Sequence, residues 1–355
     1  MNIGFLKSKV KEIRSELEKD AKTIIFDIHP QYASLFNWKS GQHVNVQLDP
    51  QGQDIRRSYT ISSSHVLGES LAITVKRIKD GVASNYINDK LNEADEVWIM
   101  PPNGNFFVEP DANAHRSHYF FGAGSGITPL FSMIKTIIVK EPNSQCFLLY
   151  GNKNENQIIF HDALEELKEE YEGRFVIKHI LSEPNQTSDF KAWRLGRINT
   201  IAVQDFIAEN PSNAQDTEYY ICGPDSMNED VTDALKDLNI VETRIHFESF
   251  TAKSGNNQDS DIMMDSRIEV NLYGRVEYLN VPEGQSILEA MQDAQMDPPY
   301  SCQSGLCGSC KAQLKQGTVT MENPEALTPN EINYGTILTC QARATSETLE
   351  IEFED

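Results

Sequence analysis

No stretch of this 355-residue chain approaches the roughly 18 consecutive apolar residues that a membrane-spanning helix needs. Positive charge is in short supply too. With 31 basic against 53 acidic residues the formal charge is −22, which argues against nucleic acid and anionic membranes as partners. The same acidity also fits plain solubility, or adaptation to salt or cold. A signal-peptide pattern is missing, because Met1-Asn2-Ile3-Gly4-Phe5-Leu6-Lys7 leads into mixed charge rather than an apolar core. Cysteine is scarce: there are six, and four of them fall in one pattern. That leaves no surplus for a disulfide framework and suits a reducing compartment, so a cytoplasmic protein is expected. A second C-x₂-C pair, as a zinc ribbon would carry, is absent. There is no internal repeat or low-complexity tract. The histidines (His29, His43, His65, His115, His118, His161, His179, His246) show no metal-ligand spacing and, like Cys146, read as surface or core residues.

What is present is strongest near the C-terminus. Cys302, Cys307 and Cys310 form C-x₄-C-x₂-C, and 29 residues separate Cys310 from Cys340. This is the plant-type [2Fe–2S] ferredoxin spacing, in which four thiolates bind a cluster that carries one electron at low potential. Gly305 and Gly308, between the ligands, let backbone N–H groups approach the cluster sulfurs.

Length alone suggests two or three domains. Residues 1–112 read as short strands. Val44-Asn45-Val46-Gln47-Leu48 and Leu71-Ala72-Ile73-Thr74-Val75 alternate in period two, as in an antiparallel β-barrel. Over residues 113–250 the pattern changes. Tyr119-Phe120-Phe121 predicts a buried strand, Leu130 to Val139 a helix, Cys146 to Tyr150 a strand, Ala163 to Tyr171 a charged helix and Phe175 to Leu181 a third strand. That alternation predicts an α/β domain on a parallel sheet. Residues 251–266 are polar and aperiodic and read as a linker, and 267–355 as a small α+β domain carrying the cysteines.

Three further motifs carry chemistry. Arg57-Ser58-Tyr59-Thr60 ends a strand, Gly81-Val82-Ala83-Ser84 offers glycine and helix-start N–H groups suited to a pyrophosphate, and Pro102-x-Gly104-x-Phe106 follows. Together they resemble the ferredoxin–NADP⁺ reductase family, whose members bind flavin in an antiparallel barrel. The resemblance implies that Tyr59 packs on the isoalloxazine ring, Ser58 lines the same site and Arg57 pairs with flavin phosphate. It places Thr60 near the flavin N5, where hydride arrives, and Gly81, Val82, Ala83 and Ser84 around the pyrophosphate, with Ser84 giving its hydroxyl. A pyrophosphate site favours FAD over FMN, although relatives of the phthalate dioxygenase reductase kind carry FMN in the same domain order.

Gly122-Ala123-Gly124-Ser125-Gly126-Ile127-Thr128-Pro129 follows a strand and opens a helix, where amides and helix dipole attract a dinucleotide pyrophosphate. In the family this turn binds NAD(P)H, with Thr128 beside the nicotinamide. Tyr220-Ile221-Cys222-Gly223-Pro224 resembles the family's second nicotinamide contact, Cys222 lying near the reacting carbon, while a small buried residue is its plain alternative. Glu248 and Phe250 match the acidic and aromatic end of the reductase portion. The resemblance gives Glu248 a catalytic place beside Thr60 and Cys222. Phe250 either covers the flavin face until nicotinamide displaces it or packs in the core. For the 2′-phosphate of NADPH, Lys153 and Arg174 or Lys178 could supply cations, whereas Glu183 would repel it. Neither side wins on charge. Gly151-Asn152-Lys153 is slightly closer to NADPH-using relatives.

The resemblance covers nearly the whole chain, with flavin domain, nicotinamide domain, linker and a β-grasp ferredoxin domain in that order. It is similar to reductase components of multicomponent oxygenases, above all the phenylacetyl-CoA epoxidase reductase subunit, and also the ketosteroid 9α-hydroxylase reductase. The implied activity is electron transfer from NAD(P)H through FAD and the [2Fe–2S] cluster to a terminal oxygenase or another acceptor protein. Hydride brings two electrons and the cluster takes one, so flavin must divide them. Plant-type clusters sit near about −400 mV, so onward flow depends on an acceptor drawing electrons off. The linker would bring the cluster to the flavin edge. Residues 267–355 hold 5 basic and 14 acidic residues, a net of −9, which suits docking on a basic acceptor as much as solubility. A Rieske oxygenase, desaturase, cytochrome P450 or hybrid-cluster protein would serve as acceptor equally well. A non-turnover electron-transfer subunit is the rival class, and the complete four-cysteine pattern speaks against it.

Overall fold

The computed structural model describes residues 4–49, 54–214, 216–250 and 263–353. Its first sheet contains β1 (Leu6–Leu17), β2 (Ala21–Asp27), β3 (His43–Leu48), β4 (Ile55–Thr60), β5 (Ala72–Lys76) and β6 (Glu96–Ile99). These run antiparallel in the order β4-β3-β6-β1-β2-β5. A bridge between Ile61 and Ile73 joins the two outer strands, so the sheet closes into a barrel. Its interior is β-branched and aliphatic: Val10, Ile24, Val44, Val46, Ile73, Val75 and Ile99 are all buried. Such side chains fit a pleated, enclosed surface. α1 (Val82–Asp89) packs Ala83 and Ile87 onto the same core. One feature of the barrel departs from the alternation of β3. A strand of this kind ordinarily turns its polar face to water. Here His43, Asn45 and Gln47 are as buried as Val44, Val46 and Leu48: the C-terminal segment covers His43 and Asn45, and Gln47 donates to Asp54.

The second sheet holds β7 (Arg116–Ala123), β8 (Gln145–Asn152), β9 (Phe175–Leu181), β10 (Arg194–Leu195), β11 (Asp216–Cys222) and β12 (Ile245–Glu248), all parallel, in the order β10-β9-β8-β7-β11-β12. α2 (Ile127–Lys140) and α3 (His161–Glu170) pack on one face, α4 (Thr200–Glu209) and α5 (Asp225–Asp237) on the other. Strand order reverses between β7 and its neighbours β8 and β11, so a crevice opens at their C-terminal ends, where open α/β sheets bind ligands.

The third sheet joins β13 (Ser266–Leu272), β14 (Arg275–Val281), β15 (Lys311–Gln316), β17 (Thr336–Leu338) and β19 (Thr348–Phe353) in the order β14-β13-β19-β15-β17. β13 and β19 are parallel and the other pairs antiparallel. α6 (Ile287–Asp293), started by a Ser286–Glu289 capping box, packs Ile287, Ala290 and Met291 on this sheet. β16 (Val319–Met321) pairs with β18 (Ala342–Ala344), and α7 (Pro329–Asn333) precedes β17. This mixed sheet with a helix across it is the expected β-grasp arrangement. Of the expected linker, residues 251–262 lie outside the described residues. The Met264 N–H already bonds to the Ala344 carbonyl and Asp265 accepts from the Glu283 N–H. With β13 starting at Ser266, the end of the expected linker belongs to the ferredoxin sheet. Among the described residues no helix is long and apolar enough to cross a membrane.

Candidate functional site

Cys302, Cys307 and Cys310 lie on the irregular loop between α6 and β15, and Cys340 on the turn between β17 and β18. Gly305 (φ +81°) and Gly308 (φ +66°) give the loop left-handed turns, and a Cβ on Gly305 would collide with the Asn323 carbonyl. No three ligand-type side chains among the described residues converge on a single ion. The thiols instead associate as two pairs, Cys302 with Cys307 and Cys310 with Cys340. Two pairs of thiolates suit two irons, one pair each. Within each pair one thiol is lowered and its partner raised: hydrogen bonding lowers Cys302 and Cys340, while the same contacts and burial raise Cys307 and Cys310. The Cys302 and Ser304 N–H groups lie 3.4 Å from Cys307 Sγ and Cys302 Sγ respectively. The Ser301 hydroxyl is buried beside the first ligand with no partner among the described residues, as befits a donor awaiting a cluster sulfur. The residues fit a [2Fe–2S] group.

On the barrel, β4 presents Arg57 to solvent and half-buries Ser58 and Tyr59, while Thr60 is buried. Gly81 caps α1 without any side-chain cap, leaving the first-turn N–H groups from Val82 to Ser84 for an anion. The Ser84 hydroxyl accepts from the Ile78 N–H (3.1 Å) and donates to the Gly81 carbonyl (3.3 Å).

Registration of the parallel strands assembles the remaining residues. Gly122 pairs with Cys222 across β7–β11, and Cys222 with Glu248 across β11–β12. The Thr60 hydroxyl then reaches Glu248 Oε2 at 3.4 Å, so Thr60, Cys222 and Glu248 meet where barrel and parallel sheet join. Enclosure pushes the Glu248 carboxyl up to about 8 and raises the Cys222 thiol well above its ordinary value. Cys222 is fully buried in the core. It forms the floor beneath Gly126, whose Cβ would strike the Cys222 carbonyl.

Above that floor a cleft of about 790 Å³ is bounded by Gly124, Gly126, Gly223 and Pro224 on one side and by Lys76, Lys153, Arg197 and Phe250 on others. Glycines at this turn let a nucleotide approach the backbone. Thr128 does not line the cleft. It is buried, with its hydroxyl on the Ser125 carbonyl (3.0 Å). Phe250 stands 47% exposed at the rim, so it is not a core residue. Of the expected 2′-phosphate partners, only Lys153 is here, paired with Glu183 at 3.1 Å. Arg174 binds the carbonyls of Ile138, Glu141 and Ser144, at the far end of its strand. Lys178 lines a different hollow beside His161 and His179.

Three family models match in succession: an oxidoreductase FAD-binding domain over residues 9–108, an oxidoreductase NAD-binding domain over 120–233 and a 2Fe-2S iron-sulfur cluster binding domain over 270–345. A 1,2-phenylacetyl-CoA epoxidase subunit from Escherichia coli is 32% identical, across 97% of this chain and 96% of that protein. The chain belongs to the family of flavin and iron–sulfur reductase components of oxygenases. The ferredoxin reductase component of 3-ketosteroid-9-alpha-monooxygenase from Rhodococcus rhodochrous is 31% identical, across 94% of this reductase and 93% of that one. The solved phthalate dioxygenase reductase superposes with a TM-score of 0.59 at 25% identity, covering 99% and 98% of the two chains.

Several residues at this reductase's site were not legible as motifs. Lys76 and Arg197 reach the cleft from the end of β5 and the loop after β10, positions that carry no fixed spacing to the glycine turn. His43 and Asn45 alternate with valines, a pattern that in one dimension looks like an ordinary solvent face.

Proposed function

We propose that this reductase takes hydride from NADPH and delivers the electrons singly, through FAD and the [2Fe–2S] cluster, to a partner oxygenase of the phenylacetyl-CoA epoxidase kind. One juxtaposition carries the reading. The loop bearing Cys307 is hydrogen-bonded to β3, next to the strand that holds Arg57-Ser58-Tyr59-Thr60, while the nucleotide cleft opens beside Lys76 on the same barrel. When bound, flavin supplies the conversion of one two-electron input into two one-electron outputs.

The chain's own part is positional. Tyr59 packs on the ring, Ser58 lines the same site and Arg57 pairs with phosphate. Gly81 and the N–H groups of Val82, Ala83 and Ser84 hold the pyrophosphate, which selects FAD. Gly122, Gly124, Gly126, Gly223 and Pro224 let the nicotinamide nucleotide settle on backbone, and Thr128 stiffens that turn through Ser125. Phe250 shields the flavin face from water until the nicotinamide ring takes its place. Thr60 and Glu248, joined by their hydrogen bond, and Cys222 beneath them fix where the two rings meet. A neutral Glu248 adds no negative charge where hydride arrives. Arg197, which has no ion-pair partner among the described residues, and Lys153 are the cations for a 2′-phosphate. NADH is the second reading, favoured by Glu183, which already holds Lys153 and adds negative charge at the mouth.

Anaerobic titration with NADPH and separately NADH, followed across the visible spectrum, tests this. Flavin bands should bleach first and cluster absorbance next, with NADPH the more efficient donor. Silence of both chromophores toward both nucleotides would overturn the reading. Mixing the reduced protein with purified oxygenase components and measuring product then distinguishes an epoxidase partner from a Rieske-type one.

A further inference from the structure

Three hydrogen bonds connect the flavin-binding strand pair to the cluster ligand Cys307, the middle one spanning 264 residues of sequence from Asn45 to Ser309. The Ser58 hydroxyl donates to Asn45 Oδ1 at 2.5 Å, Asn45 Nδ2 donates to Ser309 Oγ at 2.5 Å, and Ser309 Oγ lies 3.3 Å from Cys307 Sγ. A cysteine bound to iron is a thiolate and can only accept, so the Ser309 hydroxyl is the donor in the last link. All three donors then point the same way, from Ser58 toward the sulfur. Beside this chain His43 Nε2 stands 3.1 Å from the Cys307 carbonyl. That partner only accepts, so Nε2 carries the proton. These groups are shut away from water: Asn45 is 1% exposed, His43 5% and Ser309 8%.

The residue types are what such a connection demands. An asparagine amide accepts at one end and donates at the other, whereas aspartate cannot donate and leucine can do neither. Burying this much polarity on a strand otherwise packed with valine costs stability unless every group is paired, and the pairing is complete only when the ferredoxin domain is in place.

We propose that Ser58, Asn45 and Ser309 form a directional hydrogen-bond chain to the Cys307 sulfur that raises the potential of the cluster, and that this chain, with His43 on the Cys307 carbonyl beside it, seats Cys307 against the flavin barrel. The proposal rests on the electron-transfer reading above and assigns that transfer its positioning residues. In the step it serves, one electron passes from reduced flavin to one ferric iron of the cluster, which becomes ferrous. No bond forms or breaks in the chain and no proton crosses it. Its aligned N–H and O–H dipoles stabilise the added negative charge on the cluster, as hydrogen bonds to ligand sulfurs do. The same bonds keep the flavin-to-cluster gap constant.

The test uses the full-length holoprotein with Asn45→Leu, Asn45→Asp and Ser309→Ala, each checked for flavin and iron content. Three quantities are read: the cluster potential by electron paramagnetic resonance during redox titration, hydrogen exchange over residues 301–310, and stopped-flow rates for hydride arrival and cluster reduction. Ser309→Ala should shift the cluster to lower potential. Asn45→Leu should slow cluster reduction and speed exchange of the loop, each by up to about tenfold, the upper end for the loss of one neutral hydrogen bond. Hydride arrival should stay at the wild-type rate. Asn45→Asp should behave like Asn45→Leu despite its matching shape. If Asn45→Leu fails to retain flavin, Ser309→Ala, which lies outside the barrel, decides alone. Fully loaded variants with wild-type potential, exchange and cluster reduction would overturn the proposal. A wild-type protein whose flavin takes no hydride from NADPH or NADH would sink the electron-transfer reading instead, and the potential and exchange measurements would still judge the hydrogen-bond chain.

Discussion

Glu248 accepts from Thr60 in a pocket that pushes its carboxyl from the ordinary 4.5 up to about 8. Because the folded value lies above the unfolded one, this group's contribution to stability is fully present below about pH 4.5 and is lost as pH rises toward 8. Glu248→Gln keeps the neutral form at every pH. Its Tm should therefore be flatter than wild type between pH 5 and 8 in thermal scans, and parallel curves would mean the carboxyl is not held neutral. Arg197 permits a second test at this scale. Arg197→Ala should raise KM for NADPH by about tenfold to a hundredfold, the loss of one or more charge-assisted bonds to phosphate, and leave NADH kinetics unchanged. Equal effects on both nucleotides would remove Arg197 from the 2′-phosphate site. The sequence exposed Glu248 only through its resemblance to a family terminus, and Arg197 not at all. What brings each to its place is strand registration and a loop, not a motif.

At the scale of elements, α2 shows how tightly the glycine turn is built. The helix buries Ile127, Leu130, Met133, Ile134, Ile137 and Ile138, so it cannot shift outward without opening the core. Its first turn sits so close to β11 that Gly126 has no room for a Cβ above the Cys222 carbonyl. Gly126→Ala should destabilise the protein by about 1–3 kcal/mol, as overpacking does, and weaken binding of the nicotinamide nucleotide. Urea denaturation and a fluorescence titration check the two effects, and a variant equal to wild type in both would show that the turn has slack. This element was readable in advance because a buried strand, a glycine turn and an apolar helix follow one another in sequence. β3 was readable only in part. Its alternation is real, but whether the polar side chains of His43 and Asn45 meet water or protein depends on a domain more than 200 residues away.

In the whole molecule, Arg56 does for the edge of that interface what Asn45 does for its centre. It is 5% exposed, held by Asp54 at 2.8 Å and Asp297 at 3.4 Å, and it lies 4.1 Å over the Tyr300 ring. Both carboxylates remain partly in water, so the pair lies between surface and buried cases. Arg56→Met should weaken domain docking by about 1–2 kcal/mol. Hydrogen exchange should then rise at the Asp297 and Tyr300 amides, which flank Pro298 and Pro299, but not in β13, and unchanged exchange at those two amides would show that this contact does not hold the domains together. A chain with separate flavin, nucleotide and iron–sulfur domains needs such contacts, because electrons move only where the cofactors are brought close.

Sequence alone determined what depends on local pattern. The cysteine spacing named the cluster, because four thiolates at fixed intervals have little other use. Strand–glycine–helix order named the nucleotide turn, because backbone amides at a helix start need no distant partner to attract an anion. Tertiary structure decided what depends on distance. It brought Thr60, Cys222 and Glu248 together through the registers of β7, β11 and β12, and put Arg174 out of reach of the cleft that Arg197 enters. It also turned the polar face of β3 into the seat of the iron–sulfur domain. A side chain's type is local, but its partner is set by the packing of segments hundreds of residues apart.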